Sequence, residues 1–274
     1  MNTDRLDGRV LAVIPARLGS ERLARKPLHL LAGRPLIEWV WRRVSSFEFL
    51  DQVVVATDSD EIAALCARLG AAVELTRPEH GSGTERVAEV AARPAYRGYD
   101  VVVNIQGDEP FVAESAVRES ARLVLAGWDV GTPAVPVGGI EELRDPMVVK
   151  VVTGHDGGAM YFSRAPIPWK RDGEPTAAEF EAGRWLRHIG VYAYSHAALE
   201  TWTAQPASSL EATERLEQLR ALEAGVRFGI AVIERRPDEE KLGGIDTAAD
   251  AERAERILAI SHQPSAQPGA VADG

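Results

Sequence analysis

Four cations fall within a short stretch near the start of the chain: Arg17, Arg22, Arg25 and Lys26, in Pro15-Ala16-Arg17-Leu18-Gly19-Ser20-Glu21-Arg22-Leu23-Ala24-Arg25-Lys26-Pro27-Leu28. They repel one another unless something anionic collects among them. A polyphosphate is the natural candidate, because guanidinium and ammonium groups donate charge-assisted hydrogen bonds to its oxygens. Gly19 and Ser20 let the backbone come close and donate as well. Two distant carboxylates supply the complementary chemistry: Asp108 in Gln106-Gly107-Asp108-Glu109-Pro110, and Asp246 in Gly243-Gly244-Ile245-Asp246-Thr247. Magnesium takes one or two carboxylates together with phosphate oxygens and water. Each aspartate also has a plainer reading, Gly107-Asp108 as a chain reversal and Asp246 as a helix N-cap. With a nucleoside triphosphate in place, metal and cations would neutralise the charge that repels a nucleophile and stabilise departing pyrophosphate. No covalent enzyme intermediate is needed when the substrate brings its own hydroxyl or carboxylate.

A second polar set lies further along. Arg164 sits in Tyr161-Phe162-Ser163-Arg164-Ala165-Pro166-Ile167-Pro168-Trp169, and Arg171 follows shortly. His188 and Tyr192 are spaced to share one face of a strand. Glu217 and Gln218 fall within a stretch of helical spacing. Such a set suits an acidic, hydroxyl-rich small molecule. Singly, each also reads as structure: a helix-surface charge for Glu217, satisfied core groups for His188 and Tyr192. Neither a Gly-x-x-x-x-Gly-Lys-Ser/Thr loop nor a Gly-x-Gly-x-x-Gly turn after the first strand is present, which weighs against kinase-like ATPases and dehydrogenases.

The elements that must hold these residues follow from periodicity. The apolar run at 10–14 reads as a central parallel strand that empties into the cationic loop. Pro35 can open a helix with Leu36, Ile37, Val40, Trp41 and Val44 on its apolar face. A strand at 53–55 leads to a helix capped by Asp58 or Ser59 and stopped by Gly70. A short strand is expected at 72–75. Ser82-Gly83-Thr84-Glu85 fits a capping box, and the helix it starts ends before Pro94. Residues 101–105 read as another buried strand. This alternation predicts an α/β fold with a mostly parallel central sheet flanked by helices. Ligands in such sheets bind beyond the strands' carboxyl ends, so the loops at Arg17, Asp58 and Asp108 should line one crevice. From about residue 130 the rhythm changes: strands at 148–152, 158–162, 188–194 and 227–233, a helix over 210–224 and a closing helix over 247–260. Residues 1–260 are expected to form one domain, with 10–130 the nucleotide half and 131–260 completing the same site. Residues 261–274, rich in Pro, Ala, Gly and Ser, are expected to be disordered.

The bulk numbers exclude several classes. The 274 residues carry 31 Lys and Arg against 41 Asp and Glu, a net charge of −10, which argues against a nucleic-acid or anionic-membrane binder. The one cysteine, Cys66, forbids an intramolecular disulfide and reads as a packed, inert thiol in a helix. The chain opens on no signal-peptide pattern and has no run of membrane-spanning length, so the expectation is a soluble cytoplasmic protein.

Seven motifs now stand in one order: IPARLGSERLARKPL, HGSGTER, NIQGDEP, YFSRAPIPW, RHIGVYAY, LEQLR and GIDT. In that series the chain closely resembles the 3-deoxy-manno-octulosonate cytidylyltransferase (CMP-Kdo synthetase) family, from about residue 10 to 258. The resemblance implies a nucleotide-diphospho-sugar transferase (glycosyltransferase-A-like) fold and a homodimer. It implies Mg2+-dependent condensation of CTP with Kdo to CMP-Kdo and pyrophosphate, for lipopolysaccharide synthesis. By similarity Arg17, Ser20, Arg22 and Lys26 would hold the triphosphate, with Arg17, Arg22 and Lys26 counted as catalytic. Ser82, Gly83 and Arg86 would sit by cytosine and ribose, and Gln106 near nucleotide and sugar. Asp108 and Asp246 would be catalytic metal ligands, and Arg164, Arg171, His188, Tyr192, Glu217 and Gln218 the sugar pocket, with the second half also carrying the dimer contacts. Two features depart from the family pattern: Ala24-Arg25 stands where Pro-Gly is usual, and the stretch before Gly243 is longer and more charged. Either could retune affinity or admit a modified sugar, so 8-amino-Kdo or a sialic acid remains an alternative acceptor. A non-catalytic nucleotide-sugar-binding protein and a structural dimerisation module are the readings from other classes.

Overall fold

The apolar run forms the body of β1 (Val10–Ala16), buried along its whole length. Val10, Ala12 and Ile14 pack into one core cluster while Leu11 and Val13 pack into another on the opposite face. Burial on both faces is why the run is continuous rather than alternating. The structure is a computed structural model, and it describes residues 5–19, 23–236 and 243–261.

A two-residue hairpin, β2 (Leu30–Leu31) and β3 (Arg34–Pro35), leads into α1 (Leu36–Ser45), whose Leu36, Ile37, Val40 and Val44 are buried as the spacing requires. Two parallel strands flank β1: β4 (Gln52–Thr57) on one side, and β6 (Val101–Asn104) on the other. Between them in sequence come α2 (Asp60–Leu69), β5 (Ala72–Leu75) and α3 (Gly83–Ala91), with β5 parallel to the outer side of β4. Ser59 caps α2, its Oγ accepting from the Ile62 N–H at 3.4 Å, and Gly70 ends it at φ 75. Ser82 caps α3 by accepting from the Glu85 N–H at 3.2 Å. The Glu85 carboxylate accepts from the Gly81 N–H instead of returning to Ser82, so the capping box forms on one side only. Because the chain runs from β1 outward to β4 and β5, then crosses back to β6, the strand order reverses between β1 and β6. That crevice is where an α/β sheet binds its ligand.

The second half extends the same sheet. After α4 (Glu114–Leu125) come β7 (Val130–Pro136), α5 (Ile140–Arg144), β8 (Lys150–Thr153), β9 (Ala159–Ser163) and α6 (Ala177–Glu181). Then follow β10 (Leu186–His188), β11 (Tyr192–Tyr194), α7 (His196–Ala204), α8 (Ser209–Glu214), α9 (Gln218–Glu223), β12 (Phe228–Val232) and α10 (Ala248–Ser261). Strand β11 lies antiparallel between β6 and β7, β10 joins β7 to β8 and β9, and β12 runs parallel to β7. No helix among the described residues is long and apolar enough to cross a membrane.

Two expected elements are each split. The strand expected over 188–194 becomes β10 and β11, because the chain changes partners there and folds tightly, the Val191 N–H reaching the Ile189 carbonyl at 2.8 Å. The helix expected over 210–224 becomes α8 and α9, because Arg215 takes a left-handed conformation at φ 52. The tail expected to be disordered lies, apart from residue 261, outside the described residues.

Candidate active site

The triphosphate candidates begin where β1 ends. Arg17 is exposed at the mouth of the crevice. Arg25 is left-handed at φ 52, and its guanidinium pairs with Glu61 at 2.5 Å. Immediately after it, a 3-10 turn at Lys26–Leu28 carries Lys26 inward. Its Nζ donates to Asp108 Oδ2 and, at 2.9 Å, to Asp246 Oδ1. Burial alone would lower the ammonium pKa, but the two carboxylates outweigh it and hold Lys26 above the ordinary lysine value.

Both aspartates are brought there by backbone. Asp108 follows β6 in a turn that needs Gly107, since a Cβ at that position would stand 2.6 Å from the Pro15 carbonyl oxygen. The Ile245 N–H donates to the Asp108 carbonyl at 2.9 Å and draws the two segments together. Thr247, not Asp246, caps α10: its Oγ1 accepts from the Asp250 N–H at 3.2 Å, and Asp250 accepts from the Thr247 N–H at 2.9 Å. Asp246 therefore turns its carboxylate to Lys26, and its plain reading as a helix cap does not apply.

A cavity of about 660 Å3 opens above these groups, lined by Arg17, Gly19 and Lys26 on one side and by Ser82, Gly83, Arg86 and Gln106 on the other. Arg86 is 2% exposed, its guanidinium fixed by Asp58 at 2.8 Å and by the Thr76 hydroxyl. Ser20 and Arg22 lie outside the described residues. The donor set suits a hard divalent ion. Two carboxylates face one positive charge, the Lys26 ammonium, beside a cavity where phosphate oxygens and water would complete the shell. Among the described residues no cluster of three or more His, Cys, Asp or Glu could hold a metal, so such an ion would depend on those extra oxygens.

A second cavity, of about 410 Å3, has Glu109 and Gly243 in its wall, the near neighbours in sequence of Asp108 and Asp246. His188, Tyr192 and Gln218 line it, and the rings of the first two lie 5.3 Å apart. Burial pushes the His188 pKa down to about 3 and the Tyr192 hydroxyl well above its usual value, so both are neutral.

Three other sugar candidates are placed elsewhere. Arg164 donates to the backbone carbonyls of Glu214 at 2.8 Å and Pro146 at 2.9 Å, so its fork ties the end of α8 to the segment before β8. Arg171 is 93% exposed beside Asp172, away from the cavity. Glu217 accepts from Ser82 Oγ at 2.8 Å and Thr84 Oγ1 at 3.1 Å, tying the start of α9 to the start of α3. Burial raises its pKa against the pull of those hydrogen bonds. Three residues not singled out from sequence also face the cavity: Glu109, Arg187 and Arg236. Glu109 and Arg187 sit inside motifs already recognised, and Arg236 has no local signal. Burial and the Asp108 charge push the Glu109 pKa up to about 8.

Comparison with known proteins identifies the family. A family model described as cytidylyltransferase matches residues 11–228. A 3-deoxy-manno-octulosonate cytidylyltransferase of Gemmatimonas aurantiaca is 47% identical over 254 residues, 92% of this chain and 95% of its own. One from Pseudomonas fluorescens is 44% identical over 252 residues, 90% and 96% of the two chains. A solved CMP:2-keto-3-deoxy-manno-octonic acid synthetase in complex with CTP superposes with a TM-score of 0.81 at 32% identity, covering 92% of this chain and 99% of that one. A 4-diphosphocytidyl-2C-methyl-D-erythritol synthase from Anaerococcus prevotii, 15% identical with a TM-score of 0.59, covers 92% and 99% and shares the fold alone. With the family model spanning most of the chain and relatives above 40% identity along nearly all of it, the chain belongs to the 3-deoxy-manno-octulosonate cytidylyltransferase family.

Proposed function

We infer that this protein transfers CMP from CTP to Kdo, releasing pyrophosphate. The observation that carries the reading is the meeting of Lys26, Asp108 and Asp246 in a polar crevice, with Glu109, the neighbour of Asp108, in the wall of a second cavity. In the reaction the anomeric hydroxyl of the sugar attacks the α-phosphorus, a new P–O bond forms, and the bond to pyrophosphate breaks. Arg17, Arg22 and Lys26 hold the triphosphate and balance charge on the leaving group, with Ser20 donating from the same loop. Ser82, Gly83 and Arg86 flank cytosine and ribose, and Gln106 stands between nucleotide and sugar. Asp108 and Asp246 would hold Mg2+, which when bound neutralises phosphate charge and eases loss of the attacking proton. His188, Tyr192 and Gln218 orient the sugar. Positioning and charge neutralisation do most of the work. A homodimer and a role in lipopolysaccharide synthesis rest on the family resemblance, and a cytoplasmic location on the sequence expectation alone.

The test is pyrophosphate release from CTP and Mg2+ with a panel of Kdo, 8-amino-Kdo and a sialic acid. Release with Kdo is expected. Turnover of a sialic acid with none of Kdo would overturn the reading, and faster turnover of 8-amino-Kdo would reassign the preferred acceptor.

A further inference from the structure

Thr132 is buried in the middle of β7 and takes no part in the mechanism above. Its Oγ1 lies 2.8 Å from His188 Nε2, 2.7 Å from the Val191 carbonyl oxygen and 3.3 Å from that of Ile189. A hydroxyl carries one proton, and a carbonyl oxygen can only accept. The threonine proton therefore goes to the carbonyls of the fold between β10 and β11, and the threonine oxygen is left to accept from the imidazole. Nε2 must carry a hydrogen. Because the buried ring is neutral, its other nitrogen, Nδ1, bears a lone pair. Nδ1 makes no hydrogen bond with any described residue, while the ring lines the 410 Å3 cavity. Phe162 packs edge-on against that ring at 5.0 Å and Tyr192 lies tilted against it at 5.3 Å, which holds its plane.

We propose that Thr132 is a positioning residue that locks His188 as the Nε2–H tautomer, so that Nδ1 accepts a hydrogen bond from a hydroxyl of the sugar. The proposal deepens the Kdo reading and rests on it for the identity of the ligand. One buried hydroxyl thus sets both the backbone fold that separates β10 from β11 and the chemical face that the histidine shows to substrate. A protonated or Nδ1–H imidazole would donate there and would repel the hydroxyl proton that the lone pair accepts.

Two measurements test it. In the 15N-histidine spectrum of the whole protein, the His188 signals, assigned by their loss in His188→Gln, should show a protonated Nε2 and a bare Nδ1. Thr132→Ser should keep that pattern, and Thr132→Val should change it. In kinetics, Thr132→Val should raise KM for Kdo about tenfold, the scale of one ordinary hydrogen bond. KM for CTP should stay within about twofold, and Thr132→Ser should recover most of the loss. A wild-type spectrum with Nδ1 protonated overturns the tautomer, and that measurement needs no variant to fold. A changed tautomer in Thr132→Val with an unchanged KM for Kdo overturns the role toward sugar. Absence of turnover with Kdo in the wild type would instead be a failure of the Kdo reading, and the spectrum would still decide the tautomer.

Discussion

The two cavities are built on different electrostatic plans. The nucleotide side is lined by charge brought in on loops at the ends of parallel strands: Arg17 and Lys26 after β1, Asp108 after β6, Asp246 before α10. These groups remain partly open to water, and the two carboxylates hold the Lys26 ammonium pKa above its ordinary value. The sugar side combines cationic Arg187 and Arg236 with groups that burial holds neutral, His188, Tyr192 and Glu109. A polyanion needs opposing charge and tolerates some looseness. A sugar is read by fixed donors and acceptors, and those can be fixed by desolvation and packing.

That contrast can be broken by experiment. The largest effect is expected for Asp108→Ala: a loss of turnover of about a thousandfold or more with little change in thermal unfolding, since only a partly exposed carboxylate is removed. A fully active variant would remove Asp108 from the chemistry. Lys26→Met keeps the stem and deletes the charge, leaving Asp108 facing Asp246, and should cost about a hundredfold in kcat/KM. Arg164→Ala should act on the fold, lowering stability by about 2 kcal/mol because the Glu214 carbonyl ending α8 and the Pro146 carbonyl lose their donor. Unchanged denaturant unfolding, with a raised KM for Kdo alone, would return Arg164 to the sugar pocket.

A smaller effect concerns pH. The His188 pKa falls from an unfolded value of 6.5 to about 3 in the folded protein. The unfolded chain thus takes up a proton that the folded chain refuses, so stability is full above about 6.5 and declines as pH falls toward 3. The slope attributable to this residue is about 1 kcal/mol per pH unit. Unfolding curves of the wild type and His188→Gln from pH 7 to 5 should diverge accordingly, and parallel curves would contradict the burial argument. The smallest effect is expected for Arg171→Ala, a stability change within about 0.5 kcal/mol, because the side chain is 93% exposed. A tenfold rise in KM for Kdo would instead show that the loop reaches a sugar site not formed within one chain.

Much of this molecule is written locally. The alternation of strand and helix through residue 105, the Ser59 cap with its Gly70 stop, and the loops at Arg17 and Asp108 depend on neighbours in sequence, so periodicity and capping chemistry suffice to place them. What tertiary structure alone decided are contests between distant partners. Thr247 took the helix cap because Asp250 could answer it, which turned Asp246 toward a lysine far away in sequence. Glu217 went to Ser82 and Thr84, Arg164 went to the carbonyls where Arg215 breaks the helix, and Arg236 reached the cavity from a stretch without any motif. A side chain's residue type states what it can bond, but a polar group leaving water takes whichever partner the packed chain brings within reach, and that proximity is a property of the whole fold.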